Sequence, residues 1–199
     1  YLSTVKAVDE NVGRMLEYID KNNLTKNTIV IYSSDQGFFL GEHGWYDKRW
    51  MFEESFRMPF IIRWPDTIKP GSKPVALIQN IDYAPTFLDI AKINIPKEVQ
   101  GRSLINLFQG KDKSWRQSLY YSYYELGEHA VPQHFGVRTA RHKLMYFPTN
   151  NEWNLFDLQK DPYELKSVHS EPVYEKKLDD LKKEFYRLRK HFNAPDFSE

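Results

Sequence analysis

The stretch Ile29–Ser55, IVIYSSDQGFFLGEHGWYDKRWMFEES, changes character part-way along. The run Thr28–Tyr32 (TIVIY) is β-branched and continuously apolar, as a strand covered on both faces should be. Then Asp35, Gln36, Glu42, His43, Asp47, Lys48 and Arg49 crowd into fifteen positions. Ligands of open α/β sheets bind outside the carboxyl ends of strands, so Ser33-Ser34-Asp35-Gln36-Gly37 lies where a site is expected. The Asp35 carboxylate and the Gln36 carbonyl are hard oxygen donors suited to Ca²⁺ or Mg²⁺. Gly37 lets the chain turn sharply away. Lys48, thirteen residues after Asp35, is a compact cation suited to phosphate or sulfate oxygens. His43 offers a hydrogen bond or a proton. Each residue also has an ordinary reading: Asp35 as a turn cap, His43 as a loop histidine, Lys48 and Arg49 as a solvated pair.

Outward from this stretch, the periodicities are clear. Val5, Val8, Val12, Met15 or Leu16 and Ile19 recur at helical steps, which predicts an amphipathic helix over 3–21. A helix feeding a buried strand points to an α/β layered fold. Pro59–Trp64 (PFIIRW) is a second strand, and Asp82–Ala91 a short helix with Asp82 as its candidate cap. Leu104, Leu107 and Phe108 mark another short helix. Beyond residue 110, SLYYSYYEL, HFGVRT, HKLMYFP and EWNLFDL read as three or four antiparallel strands. A last helix over 172–190 sets Tyr174, Leu178, Leu181, Phe185 and Leu188 on one face, with lysines and arginines on the other. The organisation is therefore an α/β part over 1–110 and a small antiparallel sheet with a terminal helix over 111–199.

Composition narrows the function classes. Of 199 residues, 28 are Lys or Arg and 27 are Asp or Glu, so no general pull toward nucleic acid or an anionic membrane follows. There is no cysteine, which excludes disulfides, thiolate metal sites and a cysteine nucleophile. No apolar run approaches the roughly 20 residues of a membrane helix. A chain opening on Tyr1 rather than Met reads as a processed product or a piece of something longer.

Taken together, SSDQGFFLGEHGWYDKRWMFEESFRMPFIIRWP resembles the C-terminal-half signature of the formylglycine-dependent sulfatases, in the alkaline-phosphatase-like superfamily. DENVGRMLEYIDKNNLTKNTIVIY, QNIDYAPTFLDIA, QGRSLINLFQG, FGVRTARHKLMYF and WNLFDLQKDPYELKSV follow the family's landmarks in order, so the resemblance covers essentially the whole chain. It implies that Asp35 and Gln36 are ligands of one Ca²⁺ ion and that Lys48 is a catalytic residue binding the sulfate. Gln36 is the less common choice at its position. The resemblance also makes His43 a catalytic candidate. Arg49, Trp45, His134 and Arg138 become candidate contacts for a sulfated carbohydrate, with Tyr46 and Trp45 able to stack on a sugar ring. For His134 and Arg138, a purely structural place on a strand is an equally good reading. DPYEL is expected to be structural, with Glu164 a local cap or salt-bridge partner.

The formylglycine precursor is a Cys or Ser in a Cys/Ser-x-Pro/Ala-x-Arg motif, and no such motif occurs here. The resemblance therefore implies that the nucleophile and the remaining calcium ligands lie in an N-terminal half, and that these residues alone are inactive. It also implies a periplasmic or secreted enzyme, most like bacterial N-acetylglucosamine-6-sulfatases. Two other readings stand beside it: a phosphomonoester or phosphonate hydrolase of the same superfamily, and a non-catalytic α/β binding subunit.

Overall fold

The computed structural model describes residues 1–112, 114–125, 127 and 129–197. Helix α1 (Leu2–Lys21) leads through a short turn of 3₁₀ helix into strand β1 (Val30–Ser33). β1 pairs antiparallel with β4 (Phe60–Arg63), Val30 opposite Arg63 and Ser33 opposite Phe60. The guanidinium of Arg63 donates to Asp20 at 2.6 Å and ties the strand pair to the end of the helix.

This layer is open. α1 buries none of its residues, and Met15 on its apolar stripe is 66% exposed. β1 is only half-buried, with Tyr32 on its exposed side, because one neighbouring strand covers one edge and little packs on its outer face. The composition of TIVIY predicts enclosure on both faces; within these residues that enclosure is missing.

Between β1 and β4 runs the charged loop. It forms a hairpin of β2 (Phe39–Leu40) and β3 (Tyr46–Asp47), then the single helical turn α2 (Glu53–Phe56). After β4 come α3 (Tyr83–Ile90) and α4 (Ile105–Phe108), and Phe60 stacks on Tyr83 and Phe108 with ring centroids 5.2 and 6.2 Å away. Asp82 does not cap α3 by its side chain. Its carboxylate is fully buried, accepts the backbone N–H of Gln79 and Arg102, and forms a two-pronged ion pair with Arg116. A buried carboxylate needs that many donors. Beside it, the guanidinium groups of Arg102 and Arg116 lie over the Trp115 ring at 4.5 and 4.7 Å.

Residues beyond 117 form one antiparallel sheet, β5 (Ser118–Tyr123), β6 (His134–Thr139), β7 (His142–Phe147) and β8 (Glu152–Asp157), in that order. Strand side chains alternate between faces. One face sends Phe135, Val137, Leu144, Tyr146 and Leu155 against α5 (Glu175–His191), which answers with Leu181, Phe185 and Leu188. Arg189 departs from the expected division of α5. It lies on the buried face, its guanidinium 3.8 Å from the Phe197 ring centre and bonded to Tyr120 Oη at 3.2 Å, so its charge is spread over π surfaces.

Candidate active site

The opposite face of the sheet is what positions the charged loop. Met145 and Phe156 pack there against Met51, with Phe52 and Phe56 around them. Gly136 opposes Met145 in the register, and a Cβ on it would collide with Met51 Sδ. The loop thus lies flat on the sheet only because residue 136 has no side chain.

Polar groups complete the seat. Lys143 has no exposed surface, and its ammonium group reaches Met51 O at 2.6 Å, Glu53 Oε1 at 2.9 Å and Glu164 Oε1 at 2.7 Å. Glu53 is also bound by Arg138, at 3.1 Å to Nη2. Burial opposes ionisation of both glutamates. At Glu53 the two cations outweigh it and hold the pKa below its ordinary value; at Glu164 burial prevails and the pKa is raised. Glu164 is thus a salt-bridge partner, of a lysine 21 residues earlier in the chain.

At the end of β1, Asp35 projects a largely exposed carboxylate, and Lys48 Nζ lies 2.8 Å from its Oδ2. That hydrogen bond and the lysine charge hold the Asp35 carboxyl below the usual range. Gln36 donates its amide N–H to Ser55 Oγ at 2.9 Å, which leaves its carbonyl oxygen as the atom able to ligate. The same Ser55 Oγ accepts the backbone N–H of Arg49 at 2.9 Å, so α2 braces both halves of the loop. Arg49 has a positive φ of 91°, and its guanidinium pairs with Asp47 and lies 2.9 Å from His129 Nε2. His129 in turn faces Glu125 at 3.4 Å, and Glu125 accepts from Tyr123 Oη. The sequence counts Asp47 among the loop's charges without giving it a role, and Glu125 and His129 are members of this cluster that it does not single out.

The candidate residues therefore divide. Asp35, Gln36, Arg49 and Arg138 line one broad groove, with Lys48 joined to it through Asp35. His43 and Trp45 do not. They line a separate aromatic cleft of about 590 Å³ with Trp50, Phe52 and Phe147. His43 stacks on Phe52 at 4.1 Å and faces Glu54 at 3.5 Å, held by a left-handed backbone (φ 52°) that folds it back over the hairpin. Among the described residues, His43 and Trp45 are thus set apart from Lys48 although they share its loop.

For His134 the geometry favours the structural one of its two readings. Its ring is wholly buried: Nε2 accepts the Met51 N–H at 3.2 Å, and Nδ1 lies 2.9 Å from Pro132 O. It holds the loop and presents nothing to a sugar. Burial pushes this imidazole down to about 4. An unfolded chain protonates it near pH 6.5 while the folded protein resists, so acid favours unfolding throughout the interval from about 6.5 to about 4. Between pH 7 and pH 5 the protein is expected to lose about 2 kcal/mol more stability than its His134→Gln variant, which keeps an acceptor for Met51 but cannot titrate. Denaturant midpoints at the two pH values measure this, and equal acid sensitivity would refute it.

Residues 41–191 match the family described as N-sulphoglucosamine sulphohydrolase, C-terminal. The chain belongs to this family. A relative from Bacteroides thetaiotaomicron, an N-acetylglucosamine-6-O-sulfatase, is 46% identical to this sulphohydrolase-family chain over 206 aligned residues. The alignment takes in 100% of the chain and 37% of the relative. A solved protein in complex with its substrate D-glucosamine-2-N,6-O-disulfate superposes with a TM-score of 0.95 at 45% identity. That match covers 100% of this chain and 41% of the other. A phosphonate monoester hydrolase from Silicibacter pomeroyi superposes at 0.81 with 27% identity, over 92% of this chain and 39% of its own. The α/β fold is accordingly that of the alkaline-phosphatase-like sulfatases, and the chain spans less than half the length of the relatives it matches.

Proposed function

We propose that this chain is the C-terminal part of a sulfuric ester hydrolase that removes sulfate from a sulfated sugar, with an N-acetylglucosamine 6-sulfate unit as the substrate. The observation that carries the proposal is the apposition of Lys48 and Asp35, 2.8 Å apart at the end of β1. It comes in a chain 46% identical to an N-acetylglucosamine-6-O-sulfatase. A cation and an anion side by side suit a site that must bind both a sulfate group and a metal ion.

Asp35 and the Gln36 carbonyl fit a hard divalent cation such as Ca²⁺, and both are oxygen donors on adjacent residues. Two donors are too few for calcium, and among the described residues no group of three or more His, Cys, Asp or Glu could hold a metal. The other ligands, and the formylglycine nucleophile, are therefore assigned to the part of the enzyme outside these 199 residues. Asp35 and the Gln36 carbonyl would hold such an ion, and it would supply positive charge to offset that of the sulfate. Lys48 holds a sulfate oxygen by a charge-assisted hydrogen bond and stabilises the charge that builds there. Arg49, braced by Asp47 and His129, offers donors to the sugar.

The likeness to a phosphonate monoester hydrolase supports a second reading, in which the ester is a phosphonate or phosphate. The test is ester preference of the full-length enzyme. N-acetylglucosamine 6-sulfate is expected to be cleaved at least about tenfold faster, in kcat/KM, than the matching 6-phosphate or an aryl phosphonate. The reverse preference would replace the sulfatase reading with the second one.

A further inference from the structure

Residues 48–52 belong to no helix or strand, yet the backbone polar groups of alternate residues are taken by side chains. The Arg49 carbonyl accepts from Tyr121 Oη. Met51 gives its N–H to His134 Nε2 at 3.2 Å, and its carbonyl accepts from Lys143 Nζ at 2.6 Å. The Glu53 N–H donates to Glu164 Oε2 at 2.7 Å. Tyr121, His134 and Lys143 come from three adjacent strands and share one face of the sheet, as the pairings of Tyr121 with Gly136, Gly136 with Met145 and Arg138 with Lys143 require. Side chains here do what a neighbouring strand's backbone would do.

The geometry points to a positioning role for this rail: Tyr121 and Lys143, with Glu164, fix residues 49–53 so that Lys48 and Arg49 keep their aim in the active site. The assignment deepens the sulfatase reading and rests on it for what the loop does. Packing alone does not account for Lys143. A buried ammonium costs several kcal/mol of desolvation, and apolar replacements of buried ion pairs are often neutral or stabilising. The Lys143 ammonium donates a hydrogen bond to Met51 O and forms ion pairs with Glu53 and Glu164, so one atom ties the loop to both carboxylates.

The test uses the full-length enzyme and two variants. Lys143→Met combined with Glu164→Gln removes one charge of each sign and leaves Glu53 paired with Arg138. Tyr121→Phe removes a single hydroxyl. The expected result is a kcat lower by about a hundredfold for the first and about tenfold for the second, as misplacement of about 1 Å produces. KM should move less than threefold, and amide hydrogen exchange over 47–56 should be faster in both. In a Lys48→Ala background the same changes should cost at least about threefold less than in the wild type, because one of the two groups they aim is gone and Arg49 alone remains. Should the paired variant not fold, Tyr121→Phe decides alone. Folded variants with wild-type kcat, or with unchanged exchange over 47–56, overturn the assignment. A wild-type enzyme that releases no sulfate sinks the sulfatase reading instead, and the exchange measurement still judges the rail.

Discussion

Replacing Lys48 with alanine is expected to lower turnover of the full-length enzyme by at least about a hundredfold on a sulfated sugar, with the fold intact. A charge-assisted donor placed where negative charge develops contributes on the order of 3–4 kcal/mol to the barrier, which corresponds to that factor. The fold is spared because the partner of Lys48, Asp35, is mostly exposed, and such pairs contribute little to stability. Steady-state kinetics and a melting curve on the same sample separate the two effects. Near-wild-type turnover would remove Lys48 from the active site.

The second large effect is expected at Gly37. Its backbone is not in the left-handed region; the constraint is space. A Cβ at this position would drive into the carbonyl oxygen of Glu54 and come within 3.1 Å of Ser55 O, which already accepts the Gly37 N–H at 2.8 Å. These are backbone atoms of α2 and cannot swing aside as a side-chain tip would. Gly37→Ala must therefore push α2 off the end of β1, along with Ser55 Oγ, the shared anchor of Gln36 and Arg49. Turnover is expected to fall about a hundredfold, and overpacking costs on the order of 1–3 kcal/mol of stability. Gly13→Ala on α1 is the matched control, since its added methyl meets nothing within 4 Å. Its turnover should match the wild type. If Gly37→Ala behaves like this control, the close approach of α2 is not what places the loop.

Much of this was legible in the sequence, for reasons that differ by element. α1 and α5 announce themselves because their apolar residues repeat at helical steps, and the strands of the small sheet because short, aromatic, β-rich runs are separated by turns. The Asp35–Lys48 apposition follows from a strand end and a returning hairpin. Lys143 was not legible. In HKLMYF a lysine beside a strand end reads as solvated, and the groups that bind it sit about 90 residues earlier, the Met51 carbonyl and the Glu53 carboxylate, or 21 later, on Glu164. One signal was present: Leu144, Met145 and Tyr146 form an unbroken apolar run, which in a strand marks cover on both faces. For His134 two readings stood equal, since its place under the loop depends on Met51, 83 residues away. Asp82 was read as a local cap because its partner Arg116 lies 34 residues ahead.

The small sheet carries α5 on one face and the charged loop on the other, with Gly136 giving the loop its footing. The loop consequently has little cooperativity of its own. Its opening is not the swing of a lid but part of the melting of the sheet beneath it. Heat should then take activity and tertiary structure in one transition, and a change on the α5 side that loosens the sheet reaches the active site without touching it.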